Sequence, residues 1–202
     1  MAHDGKIFCI GFHKTGTTSL AVALTTLGYR VHGAFGLGDP EIGEHVHARA
    51  DEIVARFDAF QDNPWPIIYQ GLDARYPDSK FILTLRNPES WLRSVVAHFG
   101  GSVTPMREWI YGPGGGDPIG NEERYTARYE QHNAEALKYF AGRPTDLLVM
   151  DFSAGDGWSE LCAFLDQPIP AEPFPHANSA NDRSRRPGVL NRVRGRLRRL
   201  VG

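Results

Sequence analysis

Short apolar runs alternate with longer amphipathic stretches along this chain. Residues 6–10 (KIFCI), 80–85 (KFILTL) and 146–150 (DLLVM) are apolar over nearly their whole length and rich in β-branched or aromatic side chains. Runs of this kind read as strands covered on both faces of a sheet. Each ends at a break: Gly11, then Arg86-Asn87-Pro88, then a Gly/Ser/Asp-rich stretch from Asp151. Helical patterns follow at 17–27 (TTSLAVALTTL), 89–98 and 158–165. Gly28 is placed to end the first of these, and Pro88 to occupy the first turn of the second. Two more helical stretches run over 41–57 and 122–140, while 112–118 (GPGGGDP) is too rich in glycine for regular structure and reads as a flap or a linker. Strands alternating with helices predict an α/β fold, with a mainly parallel sheet flanked by helices in three layers. No internal repeat is visible.

At 202 residues the chain fits a single domain that can bury a core without staples. Composition sharpens the picture in two respects. The net charge of −2 conceals a basic end. Eight arginines and no acid lie from Arg183 onward, which leaves 24 acids facing the other 14 Lys+Arg in an acidic body. That division predicts a domain over 1–182 and an Arg-rich tail over 183–202, and it argues against nucleic acid as a partner. Only two cysteines occur, Cys9 and Cys162, both in apolar stretches. They are expected to be buried free thiols, too few for a disulfide framework. No leader pattern and no membrane-length apolar run is present, so a soluble, cytoplasmic protein is expected.

The chemistry concentrates in Gly11-Phe12-His13-Lys14-Thr15-Gly16-Thr17-Thr18, between the first strand and the first helix. A glycine-bearing loop there turns backbone N–H groups toward one point, where the helix N-terminus adds partial positive charge. A phosphate-like anion is the expected occupant. The glycine spacing is that of nucleotide-hydrolase loops, but Thr17 stands where their lysine would be, and the lysine is inside the loop as Lys14. Apart from Asp151, no acid following an apolar strand suggests itself as a magnesium partner. Charge from Lys14 and hydroxyls from Thr15, Thr17 and Thr18 suit a sulfated nucleotide, handled without a metal.

The segment GFHKTGTTSL resembles the 5'-phosphosulfate loop of sulfotransferases that use 3'-phosphoadenosine 5'-phosphosulfate (PAPS). A second stretch, FILTLRNPESWLRSV, is similar to that family's strand, Arg-Asn-Pro turn and serine eight residues past the arginine. LLVMDFSAGDGWSELCAFL and PFPHANSAND resemble its late strand and helix and its closing Pro-His-x-Asn segment. The likeness spans about residues 6–182. It implies a P-loop-type fold, PAPS as the sulfuryl donor, no metal, and a small-molecule or carbohydrate acceptor bearing a hydroxyl or an amine. It implies that Arg86 and Ser94 hold the 3'-phosphate, with Arg183 a further candidate. The loop residues His13, Lys14, Thr15, Gly16, Thr17 and Thr18 would hold the 5' side.

Family members commonly take the acceptor proton with a histidine two residues before a proline. Here Asp62-Asn63-Pro64 stands in the comparable place, so Asp62 is the expected general base, the alternative being a cap for the next turn. An aspartate needs a raised pKa for that work. His176 is the second catalytic candidate; His98 and His132 are expected to be packing or surface residues. Aromatic residues at 65, 69, 91, 99, 109 and 111 fit either an acceptor pocket or the core. The stretch 189–200 (VLNRVRGRLRRL) has the pattern of a short basic amphipathic helix, able to touch an anionic membrane, a partner or the acidic body. Two other functions stay open at this point: a P-loop kinase using Mg-ATP, and a nucleotide-binding module without catalysis.

Overall fold

The computed structural model describes residues 5–176. Arg183 and the whole Arg-rich segment 183–202, with its expected helix and membrane contact, lie outside them. The five strands are β1 (Ile7–Cys9), β2 (Val31–His32), β3 (Ala59–Phe60), β4 (Lys80–Thr84) and β5 (Leu147–Met150). They form one sheet in the order β2-β3-β1-β4-β5, with every pairing parallel. The seven helices among the described residues are α1 (Thr17–Thr26), α2 (Ile42–Val54), α3 (Tyr69–Arg75), α4 (Pro88–Phe99), α5 (Pro105–Tyr111), α6 (Glu122–Tyr139) and α7 (Trp158–Leu165). The expected α/β architecture, a parallel sheet flanked by helices, is the one observed.

Two cores cover the two faces of the sheet. Phe8, Phe60, Phe81 and Leu83 pack with residues of α2 to α6. Their strand neighbours Ile7, Cys9, Ala59 and Ile82 pack with Leu20, Ala23 and Leu24 of α1 and Leu161, Cys162 and Leu165 of α7. Alternation along each strand thus loads both faces, which is why the strands read as unbroken apolar runs. Cys9 and Cys162 are free and buried in the α1/α7 core, and burial pushes the Cys9 thiol far up.

Local rules explain most boundaries. Helix α1 ends in a Schellman turn: Tyr29 N–H donates to Leu24 O and Gly28 N–H to Thr25 O, with Gly28 at φ 91°. Asn87 caps α4 by accepting from Ser90 N–H at 3.2 Å, and Pro88 takes the first turn. The glycine-rich stretch around 112–117 is a tied-down loop. Glu108 Oε2 and Oε1 accept from Gly114 and Gly116 N–H, and the Tyr125 hydroxyl donates to Gly115 O. Among the described residues, no helix is long and apolar enough to cross a membrane.

Because every strand is parallel, all five carboxyl ends share one edge of the sheet. From β1 the chain crosses to the far edge at β2, and from β4 it continues to β5 on the other side. The strand order therefore reverses beside β1 and β4, the place where open α/β sheets take ligands.

Candidate active site

A cavity of about 630 Å³ opens at that point. The β1–α1 loop supplies His13 to Gly16, and α1 adds Thr17, Thr18 and Ser19. The end of β3 supplies Asp62, the end of β4 Leu85 and Arg86, α4 Ser94, His98 and Phe99, and the end of β5 Phe152 and Ser153. His176 lines the rim and is exposed. Every expected site residue inside the described chain therefore reaches one cavity.

The loop is held open by glycines and internal bonds. A Cβ on Gly11 would collide with Thr84 Oγ1 and come within 2.7 Å of the Thr84 backbone N and O, so β1 and β4 approach only because that side chain is missing. Gly16 has φ 102°, and a Cβ there would strike the Phe152 ring. It stands at the N-cap of α1 without any side-chain cap bond, and no acid occupies the first turn. The first-turn N–H groups, which have no partner within a helix, stand at the edge of the cavity. Thr15 differs from the other loop threonines. Its hydroxyl donates to Phe12 O at 2.6 Å and accepts from the Thr84 hydroxyl at 2.6 Å, so it staples the loop to β4.

Arg86 leaves β4 half-buried and lies against the loop. Its Nη1 donates to Lys14 O at 3.2 Å and its Nε to Ser90 Oγ at 3.0 Å. Among the described residues no carboxylate pairs with it. Ser90, Ser94 and His98 follow at four-residue spacing on one face of α4. His98, expected to be a packing or surface residue, thus lines the cavity while remaining exposed.

Asp62 has a left-handed backbone (φ 69°), and its Oδ1 accepts from Asn63 N–H at 2.8 Å. Burial raises its pKa, against the opposing pull of that N–H and of the Lys14 charge. A raised pKa is what an aspartate needs as a proton acceptor, and burial is its cause here. His13 is 2% exposed and is bonded on both ring nitrogens, to Asn63 at 3.1 Å and to Tyr111 at 3.0 Å. Burial, helped by the charge of Arg107, lowers its pKa to about 3, so it stays neutral. His132 is core: its ring donates to Ile10 O at 2.7 Å and stacks on Phe12. Of the aromatics that fitted either pocket or core, Phe99 lines the cavity, whereas Trp65, Tyr69, Trp91 and Tyr111 are buried in the α2–α6 core. Asp151 is turned into its own loop, where Oδ1 accepts from Ser153 N–H at 2.8 Å.

The family model for the sulfotransferase domain matches residues 6–113 and 104–183. The chain belongs to the sulfotransferase family. A relative from Aspergillus versicolor, Ava biosynthesis cluster protein M, is 27% identical over 216 residues, covering 85% of this chain and 80% of its own. Pattern reading did not name several wall residues of this sulfotransferase. Phe152 and Ser153 follow an expected strand, and the rule that ligands sit at strand carboxyl ends would have pointed to them. Ser19 carries no such signal.

Proposed function

We propose that the protein transfers a sulfuryl group from PAPS to a hydroxyl or amine of a small-molecule or sugar acceptor. The observation that carries this reading is the convergence of Lys14, Arg86, Ser94 and Asp62 on one cavity, beside an uncapped helix N-terminus. The volume of that cavity lies in the range of small-molecule sites. Its walls carry two cations, Lys14 and Arg86, against one carboxylate, a balance that suits a polyanionic nucleotide. Loop N–H groups and Lys14 take the 5'-phosphosulfate. Arg86 and Ser94 take the 3'-phosphate, since a guanidinium offers phosphate oxygens a planar fork.

Asp62 accepts the proton as the acceptor oxygen or nitrogen attacks sulfur. The new bond to sulfur forms as the bond from sulfur to the bridging oxygen breaks, and the electron pair stays on the departing 5'-phosphate. Lys14 stabilises that charge, which exists only late in the reaction, and so favours the transition state over the ground state. His176 at the rim is a further acceptor contact. The relative's name assigns it to a biosynthesis cluster, in keeping with a small-molecule acceptor. Titration calorimetry tests the donor: adenosine 3',5'-bisphosphate binds tightest without magnesium, ahead of AMP and ADP. Preference for Mg-ATP would overturn this reading in favour of a kinase.

A further inference from the structure

Four non-glycine residues of the described chain have positive φ, and two of them, Lys14 (67°) and Asp62 (69°), line the cavity. Such backbones hold only where their surroundings over-determine them. One bond links the two. His13 directly precedes Lys14, Asn63 directly follows Asp62, and Asn63 Nδ2 donates to His13 Nδ1 at 3.1 Å. The bond spans two loops that diverge from neighbouring parallel strands, β1 and β3.

The imidazole at its centre is fixed on every side. Since Nδ1 accepts, Nε2 carries the proton and donates to the Tyr111 hydroxyl at the end of α5. The His13 carbonyl accepts from Trp91 Nε1 of α4 at 2.8 Å. The ring contacts Phe12, Trp91 and Phe99. Asn63 is less constrained. It is 6% exposed, yet its Oδ1 has no hydrogen-bond partner among the described residues. The bond to His13 therefore orients its amide and ties the peptide that carries Asp62 to the phosphate loop, while Trp65 N–H to Asp62 O and Phe35 N–H to Asn63 O, both at 3.1 Å, hold that backbone from the other side.

We propose that His13 is a positioning residue: through Asn63 it sets the spacing of Lys14 and Asp62 across the cavity, holding together the group that stabilises the leaving oxygen and the group that takes the acceptor proton. This rests on the roles given above to Lys14 and Asp62. A histidine in a phosphate loop is thus spent on geometry, and its neutral state is a requirement of the bond it accepts from Asn63.

Three variants test the clamp. His13→Phe keeps the ring packing and removes both ring bonds. Asn63→Leu breaks the same link from the other side. His13→Asn keeps an acceptor facing Asn63. The readouts are kcat, affinity for adenosine 3',5'-bisphosphate, and the titration of the Asp62 carboxyl followed by carbon NMR. In the first two variants kcat falls about 100-fold while that affinity stays within about threefold, the usual result of a small misplacement. The Asp62 titration moves down toward the ordinary aspartate range, and His13→Asn recovers most of kcat. Unchanged kcat, an affinity lost in step with kcat, or an unmoved Asp62 titration overturns the proposal. If His13→Phe does not fold, Asn63→Leu carries the same readouts. If the wild type transfers no sulfuryl group, the proposed function fails, while the Asp62 titration still decides the clamp.

Discussion

Replacing Arg86 with alanine separates a ligand contact from a loop support. The guanidinium stands beside the cavity with one bond to Lys14 O and one to Ser90 Oγ. If it also grips the 3'-phosphate, its loss removes charge-assisted bonds worth about 1.5–3 kcal/mol in binding. At 1.4 kcal/mol per tenfold, that is a loss of about 10- to 150-fold in affinity for adenosine 3',5'-bisphosphate. AMP lacks the 3'-phosphate and binds both proteins alike. Thermal denaturation reads the difference. Ligand at 100 times the wild-type Kd adds about 2.7 kcal/mol to wild-type stability, and about 0.4 kcal/mol to a variant whose Kd is 100-fold weaker. Equal losses for the bisphosphate and AMP would instead make Arg86 a prop for Lys14 and the loop.

Asp62→Asn lowers kcat by about 10²–10⁴ without loss of donor affinity. In the wild type, kcat/KM falls as pH drops through the Asp62 pKa, which burial places above the ordinary aspartate value. The same shift has a stability counterpart. A carboxyl whose folded pKa is raised gives up stability as pH climbs from its unfolded to its folded value, so Asp62→Asn melts higher than wild type at neutral pH, and the gap closes in acid. Gly11→Ala forces a methyl onto the Thr84 backbone and costs about 1–3 kcal/mol by denaturant unfolding, as overpacking does. A wild-type midpoint would show that β1 and β4 can separate freely there.

Long, regular features were legible in the sequence. Strands β1 and β4 are buried on both faces, so their apolar runs stood out; β5 at the sheet edge is only partly buried but as apolar in sequence, and α7 matched its pattern end to end. Strands β2 and β3 are two residues each, too short to carry a period, and α3 and α5 are seven residues each. The loop from Gly11 and the Arg86–Ser94 turn announced the site because phosphate chemistry demands particular residues at fixed spacing. The roles inside the loop were less legible. Thr15 and His13 both looked like ligand contacts. Thr15 spends its hydroxyl on Phe12 and Thr84, and His13 spends its ring on Asn63 and Tyr111. All of these partners but Phe12 lie about 50 to 100 residues away in sequence, where no local pattern reaches. Asp62 was placed by its position before Asn63-Pro64, but only the fold supplies the burial that raises its pKa.

The most direct test of the account follows labelled sulfur from PAPS into a panel of hydroxyl and amine acceptors, with chelator present, for wild type and Lys14→Ala side by side. The wild type should yield a labelled acceptor, and Lys14→Ala should lose most of the transfer. Undiminished transfer by Lys14→Ala, or an acceptor modified by Mg-ATP and never by PAPS, would contradict it.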